Sequence, residues 1–247
     1  MNIKTLIMTS LLVATTASAQ NEEPGAHKQK AQPLLGITYQ VDKQITLSNK
    51  TTPLWLNANK YGLSSLEKSN GYILVGAERR LSEDEGRKWG VGYGLEAAVT
   101  SGFTSRFVVQ QAYVEGRWLH GVLSIGSKEH PLELKNDSLS SGSQTLGKNA
   151  RPVPQVRLAL EDYWTIPGTR GWLHLKGHIA YGKMTDDNWQ HEFTQRKSKF
   201  SDDVLFHSKA GYLKIGNEEV FCPWSLEMGL EMACLFGGSS WKIVNGE

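Results

Sequence analysis

His174 and His178 sit four residues apart with Lys176 between them, a pattern that invites a metal ion. The segment reads as a strand, however, and residues four apart on a strand are about 13 Å apart, too far to share one ion. Arg157, Glu161, Glu227 and Glu231 fall at matching positions of similar segments, so all seven read as one polar strand face rather than a ligand set. Ser138 to Ser143 is rich in Ser and Gly, and His130 lies near it in sequence. Nothing fixes that His to any of the serines, and no nucleophile, base and orienting group can be assembled. Asp186, Asp187 and Glu192 lack the dense Asp/Asn/Gly spacing of a calcium loop. No catalytic residue, metal site or cofactor is therefore assigned, and a non-enzymatic protein is expected.

The segments that carry these residues alternate with period two. Trp224, Leu226, Met228, Leu230, Met232, Cys234 and Phe236 point one way, and Ser225, Glu227, Gly229, Glu231 and Ala233 the other. A helix scatters those sets around its circumference, whereas a strand separates them fully. The same alternation runs through 89–99, 155–166 and 171–182, and weaker versions fill 35–47, 71–81, 106–118, 119–128 and 205–215. The segment 106–118 does not alternate cleanly, and its faces stay unassigned. Nine strands of this length exceed the usual soluble strand of about 5–6 residues and match a tilted membrane-crossing one of about 9–11.

Three features favour a transmembrane antiparallel up-and-down β-barrel over a soluble β-sandwich, which also alternates. Connections alternate between short (117–120, 167–170, 217–223) and long (129–154, 183–204), as periplasmic turns and external loops do. Trp89, Trp118, Trp164, Trp172 and Trp224 all border the short turns, which in a barrel forms one interfacial ring of indoles. The face opposite the apolar one is polar and Gly-spaced, as a solvated lumen is, so Arg157, Glu161, His174, Lys176, His178, Glu227 and Glu231 are expected to line that lumen. The mean hydropathy of −0.38 does not exclude this, since no barrel strand is hydrophobic throughout.

Residues 1–19 carry Lys4, an apolar run from Leu6 to Ala14 and a closing Ala17-Ser18-Ala19. This is the pattern of a cleaved signal peptide, and the run is shorter than the about 20 residues a spanning helix needs. Export to the outer membrane, with lipid as a partner, is the expectation. Residues 20–33 read as a polar leader and 34–247 as the barrel. A net charge of +2 and the lack of a basic stripe argue against nucleic acid. Cys222 and Cys234 on one extended strand lie roughly 40 Å apart, so no disulfide is expected. Nine strands are odd, whereas closed single-chain bacterial barrels are even-stranded. The expectation is an incomplete part of a larger barrel.

The runs Pro53-Leu54-Trp55-Leu56-Asn57-Ala58-Asn59-Lys60-Tyr61-Gly62-Leu63, Gln110-Gln111-Ala112-Tyr113-Val114, Ser138-Leu139-Ser140-Ser141-Gly142-Ser143 and Gly147-Lys148-Asn149-Ala150-Arg151-Pro152-Val153-Pro154-Gln155-Val156-Arg157 resemble the Wzi family of capsule-assembly outer-membrane proteins. The resemblance covers essentially all of the chain after the signal peptide. It implies an eighteen-stranded barrel, of which this chain is the N-terminal half, that binds or organises capsular polysaccharide at the cell surface as a lectin does. Sugars stack their apolar faces on aromatics, and anionic sugars are drawn to cations. Arg151, Trp189, His191, Phe193 and Arg196, in the two long connections, are accordingly the candidates for polysaccharide binding. Packing of the loop is the alternative role for Trp189. A passive porin-like channel for small solutes is the competing function, since a charged lumen permits it.

Overall fold

A computed structural model describes residues 35–131, 145, 147–186, 188–194, 197–217 and 224–242. The expected signal peptide and leader, Ser138 to Ser143, Asp187, Arg196 and Cys222 lie outside the described residues.

The strands are β1 (Ile37–Leu47), β2 (Ser69–Arg79), β3 (Trp89–Ser101), β4 (Phe107–Trp118), β5 (Gly121–Ser127), β6 (Gln155–Thr165), β7 (Leu173–Lys183), β8 (Phe200–Asp202), β9 (Leu205–Ile215), β10 (Leu226–Phe236) and β11 (Ser239–Trp241). A short helix, α1 (Trp189–Thr194), precedes β8. Nine strands form one antiparallel sheet in the order β1-β2-β3-β4-β5-β6-β7-β9-β10, while β8 and β11 pair separately. The sheet is all-β and up-and-down but open, with β1 and β10 as its edges. Because nine is odd, both edge strands run in the same direction, from the short-connection end to the long-connection end.

These nine are the nine strands read from period two, with ends shifted by a residue or two. The helix and the β8–β11 pair were not anticipated. They occupy stretches too short for periodicity to register.

The distribution of polarity is inverted relative to a water-soluble sheet. In β3, Leu95 is 59% exposed and its neighbour Glu96 only 7%. Val91, Val99, Val109, Val114, Leu123, Ile125, Val156 and Leu158 share the exposed face, whereas Glu115, Ser124, Arg157 and Ser208 are buried on the other. The polar face is the inside of the curl, since the Tyr163 hydroxyl of β6 lies 3.5 Å from Glu227 of β10, beyond β7 and β9. Glycines make room there: a Cβ on Gly94 would lie 2.6 Å from the Tyr113 ring of the paired strand.

The uneven alternation of 106–118 has a local cause. Glu96 pairs with Gln111 but Ala97 with Val109, so Gln110 is an extra residue and β4 carries a bulge. Both Gln110 and Gln111 are turned inward and buried. The phase of the alternation therefore changes within the strand. A second irregularity places residues 161–163 of β6 opposite Lys176 alone.

All five of the tryptophans expected together lie at the short-connection end. Trp89 stacks on Trp118 with centroids 5.8 Å apart, Trp172 lies 6.2 Å from Trp224, and Trp164 lies 5.9 Å from His120. The opposite end bears the longer connections, with one exception at 102–106 between β3 and β4.

Candidate functional site

Three of the runs that carry the family resemblance, distant in sequence, converge on the polar face. The connection after β1 turns inward at Asn59, Tyr61 and Gly62, whose φ values of 58°, 46° and 77° reverse the chain over a short stretch. Leu63 then inserts among Tyr72, Leu74, Ala98 and Val108 and anchors residues 59–63 as a strap across the sheet. Lys60 Nζ donates to Gln44 Oε1 at 3.1 Å.

The second run holds the strap from above. The Tyr61 amide donates to the Lys148 carbonyl at 2.6 Å, and the Asn59 amide to Asn149 Oδ1 at 2.9 Å. The Lys148 ammonium sits 5.8 Å from the centre of the Tyr61 ring. The third run holds it from below through the β4 bulge. Gln110 Nε2 donates to the Tyr61 carbonyl at 3.1 Å and to Glu129 Oε1 at 2.7 Å. Gln111 Oε1 accepts the Glu129 amide at 2.8 Å. The Tyr61 hydroxyl donates to the His130 carbonyl at 2.9 Å.

Beside the strap lies a cavity of about 170 Å³ lined by Tyr61, His130, Lys148, Arg151, Arg157 and His178, among others. Burial pushes the Glu129 carboxyl above its usual range. Burial, followed by the nearby Arg157 and Lys128 charges, pulls the His130 imidazole down to about 3. His130 is thus neutral at physiological pH, in a pocket whose charged lining residues include more cations than carboxylates. The chemistry that the described side chains offer here is hydrogen bonding and charge attraction. Among the described residues, no group of three or more His, Cys, Asp or Glu is arranged to hold a metal ion.

Arg157, Glu161, His174, Lys176, His178, Glu227 and Glu231 each meet a neighbouring group. Arg157 Nη1 bonds Glu161 at 3.1 Å. Lys176 and Lys214 flank the Tyr163 ring at 5.9 and 5.6 Å, with Glu227 3.8 Å from Lys214. Glu231 accepts from the Tyr212 hydroxyl at 2.5 Å and from Thr145 at 2.5 Å. His174 contacts the Gly216 carbonyl at 3.0 Å, and His178 Nε2 lies 3.3 Å from Ser208 Oγ.

The loop candidates divide. Trp189 and Phe193 stack on α1 at 4.8 Å, both exposed. His191 meets Phe200 edge-on at 5.7 Å, and Phe200 stacks on Trp241 at 6.1 Å through the β8–β11 pair. Arg151 belongs instead to the strap and packs on Gly62, and no described contact joins it to these aromatics. Asp186 accepts the amides of Asn188 and Gln190 at 3.1 Å, which makes it a turn and helix-start residue. Tyr61, Gln110 and Lys148 lie in the runs singled out from the sequence but not among its site candidates, and His130 was considered there only beside Ser138 to Ser143; no spacing rule brings residues so far apart together.

No family model, curated protein or solved structure matches this chain.

Proposed function

We propose that these nine strands are one wall of a transmembrane outer-membrane β-barrel, and that the barrel binds or organises capsular polysaccharide at the cell surface. The observation that carries the membrane reading is the inverted sheet, with a largely apolar face exposed and a charged face buried. Exposed apolar patches on water-soluble monomers are normally no more than several hundred Å², whereas here the apolar face runs across all nine strands. Hydrocarbon satisfies such a face, and an aromatic row at the short-connection end suits the headgroup boundary.

Edges left open in lipid cost several kcal/mol per unpaired backbone group, so strands must pair with β1 and β10. The two edges run the same way. A segment that joins both antiparallel must therefore hold an odd number of strands, and nine more give the eighteen that the Wzi resemblance implies. Export through a cleaved signal peptide belongs to the same reading. The capsule function rests on that resemblance, together with the aromatic and cationic groups at the long-connection end. The strap at 59–63 narrows any passage along the polar face, which favours binding over a porin-like channel.

A boiled and unboiled gel from purified outer membranes tests the barrel: with strands paired to β1 and β10 the protein is expected to shift in mobility, whereas a shift of these nine strands alone overturns the incomplete-barrel reading. Binding of purified protein to capsule from its own cell tests the function. Equal indifference to that capsule and to an unrelated neutral glycan removes the capsule reading while leaving the barrel intact.

A further inference from the structure

On β7, β9 and β10 the exposed apolar face is broken in one place, in the half nearer the long connections. Lys209 stands on that face, directly opposite Ile179 of β7 and Met232 of β10. One position nearer the rim on the same face, His207 is opposite Tyr181 and Cys234. Its ring stacks on Tyr181 with centroids 4.2 Å apart. His207 Nδ1 donates to the Ala180 carbonyl at 2.9 Å, so Nε2 is the acceptor nitrogen of the neutral ring and takes a hydrogen bond from the P–OH of a singly protonated phosphate. Lys183 closes the column at the end of β7, paired with Asp203 at 2.5 Å. The apolar-face positions of these three strands include both lysines and no carboxylate.

The next pair below Lys209 on this face is Gly177 opposite Gly211, with Leu230 beside it on β10. A Cβ on Gly211 would meet nothing within 4 Å. The result is a strip of bare backbone bordered by Leu175 and Leu213 on the side away from the lysine. A cation above a side-chain-free strip matches a lipid with an anionic head and an acyl tail. A lysine facing hydrocarbon is costly unless its amine reaches the headgroups or meets an anion. Lys209 is four residues from the strand end at Leu205, about 13 Å along the strand and so about 9 Å in depth at a tilt near 45°. A lysine stem snorkels across much of that depth.

Resting on the membrane reading above, we propose that Lys209 and His207 bind a phosphate of an acylated, phosphate-bearing lipid in the leaflet at the long-connection end, with one acyl chain in the Gly177–Gly211 strip. Lys183 is already matched by Asp203 at the rim, so Lys209, with no carboxylate on the apolar-face positions of these strands, selects the phosphate, and the strip selects an acylated carrier over a free anion.

The test uses the protein as extracted from outer membranes, reconstituted into phosphatidylcholine bilayers with and without a bisphosphorylated, multiply acylated glucosamine disaccharide. The unfolding temperature is read by gel mobility. The lipid is expected to raise it by about 5 °C. Lys209→Leu and Gly211→Leu each lose most of that gain yet keep the folded band in pure phosphatidylcholine. Removing the lipid's phosphates abolishes the gain for the unaltered protein. An equal gain in Lys209→Leu overturns the site, as does a gain reproduced by inorganic phosphate alone. A folded band with no lipid-dependent gain overturns the lipid site alone, whereas no folded band in any bilayer overturns the membrane reading with it.

Discussion

Gly62 and Arg151 meet with no room for a side chain between them. A Cβ on Gly62 would lie 2.7 Å from Arg151 Cγ and 2.9 Å from its backbone nitrogen, at a φ of 77°. The first residue comes from the connection after β1 and the second from the connection after β5, and their contact locks the strap to the wall that holds Arg157. Gly62→Ala must therefore strain the backbone and push Arg151 outward at once. The expected loss is about 2 kcal/mol in denaturant unfolding of the reconstituted protein. Capsule binding is expected to weaken with it, and an unchanged unfolding midpoint would refute this account of the strap.

Deleting Gln110 separates the strap from the sheet. Without it, Glu96 and Ala97 face consecutive residues of β4, and the ladder becomes regular. The strands are expected to form and the mobility shift to persist. The bonds from Gln110 to the Tyr61 carbonyl and to Glu129 are lost. Faster proteolysis confined to residues 48–68 is the expected readout. Loss of the folded band would mean that the bulge is needed for pairing itself.

Asp84 and Arg79 form a buried pair at the short-connection end, 2.9 Å apart and 2–3% exposed. The Arg79 hydrogen bond, then the Val91 amide, holds the Asp84 carboxyl at about 2 despite burial. A depressed carboxylate stabilises the fold above its unfolded value, about 3.8, and that stability fades as pH falls through 2. The contribution is about 2 kcal/mol. Asp84→Asn, which leaves the Arg79 charge without its anion, is expected to cost about 3 kcal/mol at neutral pH. A loss under about 0.5 kcal/mol, no more than an ordinary surface change produces, would show that the pair contributes little.

His130 acts in a higher window. Its value, drawn down from 6.5 to about 3, means that the unfolded chain binds the proton first. Stability is full above pH 6.5 and declines toward pH 3 by about 1.4 kcal/mol per pH unit. Glu129, raised by burial, works in the opposite sense, since protonation suits its folded site. His130→Asn should flatten the profile between pH 6.5 and 4 while leaving the steep fall near Asp84's value. An unaltered slope in that variant would place the titration elsewhere.

Trp89 and Trp118 stack at 5.8 Å while each stays more than half exposed. If this end sits at a membrane boundary, Trp89→Ala costs about 1–2 kcal/mol in bilayers. A double-mutant cycle with Trp118→Ala is expected to return a coupling near 1 kcal/mol. A loss identical in bilayers and in short-chain detergent would count against the boundary placement.

The nine strands and their faces were legible in the residues because period two is local. Leu226 to Phe236 announces its two sides wherever the strand ends up, and the same residues that read as a polar face do share one. Phase was lost only in β4, where the extra residue at Gln110 shifts the alternation and no run of neighbours reveals which residue bulges. The strap was illegible for a different reason. Tyr61, Gln110 and Lys148 acquire their relation only when the sheet curls and two connections fold inward, and hydrogen bonds between residues so distant leave no period. The same holds for Arg151, grouped by type with Trp189 and Phe193 but carried by its connection to Gly62. Pattern along the chain specifies which face a residue occupies, and only closure of long loops over that face specifies its neighbour.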